Sequence, residues 1–407
     1  MTDVLSIIQA FVIGALLVYL SVPVIVKISK LKKLYDVPDN RKVNTIVIPN
    51  LGGVALFIGI SIASFLSLYD LSFPDLRYIM TGVIIMFFIG IKDDILVISA
   101  RKKFIAQLVT ALLIIIPGDI RFTNLHGVLG FYEINYVFSV FISVLAVLAI
   151  VNAINLIDGI DGLASAVGIL FSLFLGVFFF QMDKIQYAIV CFATAGSLIV
   201  FFRYNVFGRN NKIFMGDTGS LILGIIASAL VIKFNEFSLA RGAMHSNLSP
   251  TLSLAFVALP VFDMARVFFV RIIKNKSPFA PDMNHIHHKL LFLGYTHLQS
   301  TAILISANLI IIFCVYNMKD LNVNYQVLLL SAIVTLFSFI PNFLIVIKRK
   351  RTQTLHIKQS ELIMSTLKDF VMKSDYTVGD FSQHNINKKN KVVQSEPANK
   401  IAPNVSV

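Results

Sequence analysis

Asn152-Ala-Ile-Asn-Leu-Ile-Asp-Gly-Ile-Asp-Gly-Leu-Ala164 places two asparagines, two aspartates and two glycines between two long apolar segments. An aspartate at the centre of a membrane helix costs on the order of +2.5 to +3.5 kcal/mol, so Asp158 and Asp161 need a partner or water, and a functional site is the first reading of them. Their i,i+3 spacing puts both on one face of a helical turn, and Gly159 and Gly162 admit a ligand or a second backbone at close range. The apolar flanks decide the fold class. Of 407 residues, 57% are apolar and only 14% are charged, where an ordinary globular domain carries roughly 25%. Apolar runs of about 20 residues recur from end to end, which predicts an all-α polytopic membrane protein.

About eleven spans are expected, at roughly 4–26, 51–69, 78–91, 104–117, 136–152, 163–180, 186–202, 219–233, 251–270, 301–317 and 326–347. The first is too long for a signal-peptide core and has no basic flank before it, so it reads as a retained span. Loops after the first, third, seventh and ninth spans are rich in Lys and Arg: Lys27, Lys30, Lys32, Lys33, Arg41 and Lys42, then Lys92 and Arg101 to Lys103, then Arg203, Arg209 and Lys212, then Arg271, Lys274, Lys276 and Lys289; the short loop after the fifth holds neither. The even-numbered loops hold one each: Arg77, Arg121, Lys184, Arg241 and Lys319. The positive-inside rule therefore sets the N-terminus outside and the C-terminus in the cytoplasm. The net charge of +13 is explained by these loops, not by a nucleic-acid partner. Cys191 and Cys314 both lie in apolar runs, as small core residues do.

Residues 1–350 form the membrane domain in this reading, and 351–407 a cytoplasmic tail. Within Glu361–Lys373 apolar residues recur at helical spacing, which reads as a plain surface helix or mobile tail ahead of a short amphipathic helix on the membrane surface, and disorder is expected from Gln383. The segment 118–135 is expected to form a small extracytoplasmic loop or hairpin.

Every polar, motif-like stretch falls in an odd loop, so five loops can build one site on one membrane face. Lys92-Asp93-Asp94 closes the third span, and adjacent carboxylates favour a metal ion or a shared proton; a solvated helix end explains the same residues. Phe214-Met-Gly-Asp-Thr-Gly-Ser220 opens the eighth span, where Asp217 suits a cation and the helix start suits phosphate or a plain cap. His285-Ile-His-His288 suits zinc or an anion. The adjacency of His287 and His288 and the upstream Arg271, Lys274 and Lys276 favour the anion. Pro49-Asn-Leu-Gly-Gly53 reads as a helix start that packs closely. Carboxylates without thiolates point to Mg²⁺ or Mn²⁺, and with basic loops at a membrane face they suggest phosphoryl chemistry between a soluble nucleotide and a lipid phosphate.

At these five stretches, in order, the sequence resembles the polyprenyl-phosphate N-acetylhexosamine-1-phosphate transferases of glycosyltransferase family 4. The likeness covers about residues 1–347. The His-Ile-His-His form is similar to the branch that uses UDP-N-acetylglucosamine; the UDP-muramoyl-pentapeptide branch has a run of adjacent histidines instead. The resemblance implies transfer of a HexNAc-1-phosphate, in the first instance GlcNAc-1-phosphate, from its UDP-sugar to undecaprenyl phosphate. UMP is released, in the first membrane step of a cell-surface glycan pathway. It implies an inner-membrane protein with a cytoplasmic site, and leaves a homodimer open. It further implies Asp217 as the main Mg²⁺ or Mn²⁺ ligand, with Asp93 as metal-linked or as base and Asp94 beside it. Asn155, Asp158 and Asp161 would line the nucleotide-sugar pocket. Arg271, His285, His287 and His288 would hold the diphosphate and sugar, and Arg101 and Lys103 would meet the lipid phosphate. One departure is Asp282-Met283, where many relatives have Asp-Arg.

Two other readings compete. A CDP-alcohol phosphotransferase requires Asp-Gly-x-x-Ala-Arg, which Asp161-Gly-Leu-Ala-Ser165 does not supply. A transporter with an aspartate ion relay would place its carboxylates near the bilayer midplane, not clustered at one face.

Overall fold

The computed structural model describes residues 2–34, 48–68, 73–240, 248–275 and 284–373. Arg41, Lys42, the stretch 276–283 and the tail from 374 lie outside the described residues.

The chain is a helical bundle built from α1 (Thr2–Lys32), α2 (Gly52–Ser67), α3 (Pro74–Leu96), α4 (Ala100–Ile115), α5 (Tyr136–Ile157), α6 (Leu163–Gln181) and α7 (Ile185–Phe207). It continues with α8 (Gly216–Ala240), α9 (Ser249–Phe256), α10 (Ala258–Ile273), α11 (Ile286–Leu293), α12 (His297–Tyr316) and α13 (Val323–Lys373). Each expected span falls on a helix or on the bent pair α9–α10. By length and composition seven described helices are able to cross a membrane, or eight with that pair. Helix α2, at 16 residues, rises about 24 Å at 1.5 Å per residue, short of the roughly 30 Å hydrocarbon core. The protein is thus a polytopic, all-α integral membrane protein.

Helix α8 is the post on which the others lean. Its most apolar window is 89% buried, against 22% in α1, and it packs on α2, α3, α5, α6 and α9. Outer helices such as α1 expose Leu5, Ile8, Leu16 and Leu20, the arrangement expected of surfaces that meet lipid.

The bend of 76° between α9 and α10 has a local cause. Pro260 has no N–H to offer the carbonyl of Phe256, four residues back. Asn308 of α12 donates its side-chain amide to that carbonyl instead, at 3.4 Å.

The expected hairpin is present as antiparallel strands β1 (Asn124–Val128) and β2 (Phe131–Glu133). Leu129 and Gly130 both take positive φ between them, as a tight two-residue turn requires. Thr123, just before β1, donates its N–H and hydroxyl to Glu236 of α8, at 2.8 and 2.6 Å. Glu236 lies near the end of α8 opposite Asp217, so the hairpin and the Asp217 turn sit at opposite ends of the same post.

By internal contacts the chain divides into one unit through Ile345 and a second from Val346. In the second unit, residues 361–373 are part of α13, and their side chains are exposed through Asp369.

Candidate active site

The start of α8 is built by groups from three other segments. Asp94, in the last turn of α3, accepts the backbone N–H of Asp217 at 2.8 Å and of Thr218 at 3.0 Å, plus the Thr218 hydroxyl. Asp158, which caps the end of α5, accepts the N–H of Gly216. The first three N–H groups of α8, expected to favour a phosphate, are thus held by carboxylates of the protein. Pro49–Gly53 adds a strand-like grip: Phe214 N–H donates to Pro49 carbonyl (2.8 Å), while Gly52 and Gly53 N–H groups donate to Phe214 and Met215 carbonyls (both 2.9 Å). That approach needs glycine, since a Cβ on Gly53 would lie 2.1 Å from the backbone nitrogen of Gly219. Gly216 itself sits at φ +71° with Asn50 and Asp94 against it. The Pro49–Gly53 motif therefore acts through its backbone, as a clamp on the Asp217 turn.

Asp93 ends α3. Its carbonyl accepts Val97 N–H and its carboxylate accepts Ile98 N–H at 2.7 Å. Its second oxygen meets Lys103 of α4 at 3.1 Å, and the same ammonium reaches Asp217 Oδ1 at 2.5 Å and Asn155 Oδ1 at 3.5 Å. Asn155 of α5 donates its amide to Asp217 and to Ser220, the latter at 2.8 Å. Four helix ends thus converge on Asp217.

The residues present fit a divalent cation by type. No group of three or more His, Cys, Asp or Glu side chains forms a metal site among the described residues. The Lys103 ammonium, however, is a cation held by three oxygens, those of Asp93, Asp217 and Asn155, and oxygen donors are what Mg²⁺ and Mn²⁺ prefer. Negative charge is also in excess here. Burial, and then the carboxylates of Asp217, Asp94 and Asp161, push Asp158 well above the usual carboxylate range.

Asp161 is already matched. Its carboxylate pairs with Lys212 at 2.6 Å and lies 3.6 Å from His297 Nδ1, which accepts the Asp161 backbone N–H at 3.3 Å. Asn205 ties the same loop to the next, accepting Gly162 N–H at 2.6 Å and donating to the Ile213 carbonyl at 2.9 Å.

The histidine motif starts α11. His285 and His287 stack with ring planes 6° apart, and His288 packs on His287 with ring centroids 4.2 Å apart. His287 is 2% exposed, and its Nε2 has no hydrogen-bond partner among the described residues. That nitrogen would lie 2.6 Å from a Cβ placed on Gly159, so the motif meets the Asp158 loop directly. Burial, then His288, pushes His287 down to about 3, which keeps it neutral at pH 7. Arg271 is buried on α10, while Arg101 is exposed at the start of α4.

Asp263, His297, Lys212 and Asn205 were not among the expected site residues. Asp263 lies inside an apolar run at 3% exposure; a charge there was the available signal.

The bundle that gathers carboxylates, an amide and a lysine from several helix ends at one end of its central helix is an integral membrane protein with a candidate active site at that end. The glycosyl transferase family 4 profile matches residues 76–235. The chain is 31% identical over 303 residues to the undecaprenyl-phosphate alpha-N-acetylglucosaminyl 1-phosphate transferase of Salmonella typhi, covering 74% of this chain and 79% of that one. It is 29% identical over 277 residues to the protein of that name from Escherichia coli (strain K12), covering 67% and 73%. A Yersinia pestis protein of that name is 27% identical over 270 residues, covering 66% and 72%. The chain belongs to glycosyl transferase family 4.

Proposed function

We propose that the protein transfers GlcNAc-1-phosphate from UDP-GlcNAc to undecaprenyl phosphate, forming GlcNAc-diphospho-undecaprenol and UMP. The observation that carries this is the convergence of Asp93, Lys103, Asn155 and Asp217 at one point, built from motifs far apart in sequence. The names of the relatives support the donor and acceptor. A transporter reading is disfavoured because the carboxylates gather at one end of α8 and not at its middle.

In the reaction an oxygen of the lipid phosphate bonds to the sugar-bearing phosphorus, and the bond from that phosphorus to the bridging oxygen of UMP breaks. A lipid phosphate is largely ionised near pH 7, so Asp93 has to position it more than deprotonate it. Lys103 offers a mobile ammonium that can leave the carboxylates for a phosphate, with Arg101 at the entrance to the same helix. Asn155 fixes the Asp217 carboxylate, and Asp158 and Asp161 shape the adjoining pocket. Arg271 and the histidines hold the diphosphate and sugar. Asp217 and Asp93 would hold Mg²⁺ or Mn²⁺. When bound, the ion would neutralise charge on the diphosphate and favour departure of UMP.

The loop charges support eleven spans with the N-terminus outside, and a site on the cytoplasmic face of the inner membrane. The test is to incubate purified protein, Mg²⁺ and undecaprenyl phosphate with UDP-GlcNAc, UDP-GalNAc and a UDP-6-deoxyhexosamine, reading UMP and lipid-linked sugar. Product from UDP-GlcNAc alone supports the assignment. Product only from another sugar would move the donor and point to the Asp282-Met283 departure.

A further inference from the structure

Asp263 is a carboxylate buried in the apolar helix α10, and none of the roles above uses it. One oxygen meets Arg266 Nη2 at 2.6 Å. The other accepts from His285 Nδ1 at 3.0 Å and from the backbone N–H of Ile286 at 3.1 Å. Arg266 Nη2 also donates to the carbonyl of Asn284, at 2.7 Å. The Asp263–Arg266 pair therefore grips 284–286, the entry to the histidine motif, by two backbone contacts and one ring contact. An ionised carboxylate only accepts hydrogen bonds, so the Nδ1 that faces it carries a proton. Nε2 is then the ring nitrogen left to meet a substrate.

We propose that Asp263 is a positioning residue for the transfer reaction: it fixes the ring orientation and the protonated nitrogen of His285, and with Arg266 it anchors the start of α11, so that His285 presents Nε2 to the diphosphate of the sugar-nucleotide donor. This rests on the function proposed above. A carboxylate behind a histidine sets which nitrogen is offered and how firmly, and removing such a partner typically costs about 10- to 100-fold where the histidine binds a metal.

The test compares Asp263→Asn, His285→Gln and the double variant in the full-length protein, measuring kcat and KM for donor and for lipid phosphate. The ¹⁵N spectrum of the wild-type histidine rings is recorded beside them, with His285→Gln identifying the His285 signals. Asp263→Asn is expected to lower kcat/KM for UDP-GlcNAc by about 10- to 100-fold, with the KM for lipid phosphate unchanged. The double variant is expected to match His285→Gln alone, because Asp263 acts through that ring. The wild-type spectrum is expected to show His285 protonated at Nδ1. Losses that multiply in the double variant, equal damage to both substrates, or a bare Nδ1 in the wild type would each overturn the proposal. A wild type that transfers no sugar phosphate would remove the function reading, while the ring spectrum would still decide the pair.

Discussion

Gly90→Ala is the sharpest small perturbation of the site. A Cβ on Gly90 of α3 would lie 2.3 Å from Thr218 Cα and 2.7 Å from Thr218 N, where ordinary contact begins at 3.4 Å. Both obstacles are backbone, so no rotamer change relieves them. Helices α3 and α8 have to separate locally by about 1.1 Å, the shortfall from 2.3 to 3.4 Å. Overpacking of this kind costs about 1–3 kcal/mol in stability. The larger consequence is functional, because α3 carries Asp93 and Asp94 while the displaced turn of α8 carries Asp217. A misplacement near 1 Å can cost about 100-fold in rate. The matched control is Gly82→Ala on the same helix, where a Cβ would meet only side-chain methyls of Ile114, Ile225 and Thr110 at 3.2 Å. Turnover of UDP-GlcNAc in detergent, beside the thermal midpoint, gives the comparison. The expected result is a loss of about 100-fold for Gly90→Ala and near-normal turnover for Gly82→Ala. Wild-type turnover in Gly90→Ala would refute the reasoning, since the close approach of α3 and α8 would then not set the geometry.

Asp94→Asn replaces an acceptor of three donors at the α8 start with a group that is itself half donor. Loss of a cap costs about 0.5–2 kcal/mol, so a lower thermal midpoint and impaired turnover are expected together; unchanged turnover would leave Asp94 without a part in the site. Gly159→Ala drives a Cβ to 2.6 Å from His287 Nε2, so the KM for UDP-GlcNAc should rise while the protein stays folded. The pH dependence of stability follows from His287. Its folded-state value of about 3 lies below the ordinary 6.5, so the unfolded chain binds the extra proton and stability falls as pH drops from 6.5 toward 3. Thermal midpoints of His287→Gln should decline less over that window than those of the wild type. Chelation with EDTA should stop turnover, and Mg²⁺ or Mn²⁺ should restore it; full activity in EDTA would remove the metal from the account.

The helices that flank the site were legible because apolar runs of membrane length carry a strong signal. The Asp93, Asn155 and Asp217 segments were legible because charge is costly there. The clamp made by Pro49–Gly53 was not, because backbone hydrogen bonds to Phe214 and Met215 leave no mark on side-chain identity. The bend at α9–α10 had a sequence cause in Pro260, yet the run 251–270 still reads as one span by hydropathy. The role of Asp263 is not legible because its partner His285 is 22 positions away, and a lone carboxylate in an apolar run names no partner. The continuity of α13 through Lys373 is not legible because its second half loses the apolar content that marks a span.

The most direct measurement sets wild type beside Asp217→Asn, both purified and shown to be folded, with Mg²⁺, undecaprenyl phosphate and UDP-GlcNAc. Lipid-linked GlcNAc and UMP are both quantified. The account predicts equimolar products from the wild type and none from Asp217→Asn at the same thermal midpoint. Near-normal product from Asp217→Asn would contradict it, because the residue on which four helix ends converge would then not be needed for the transfer.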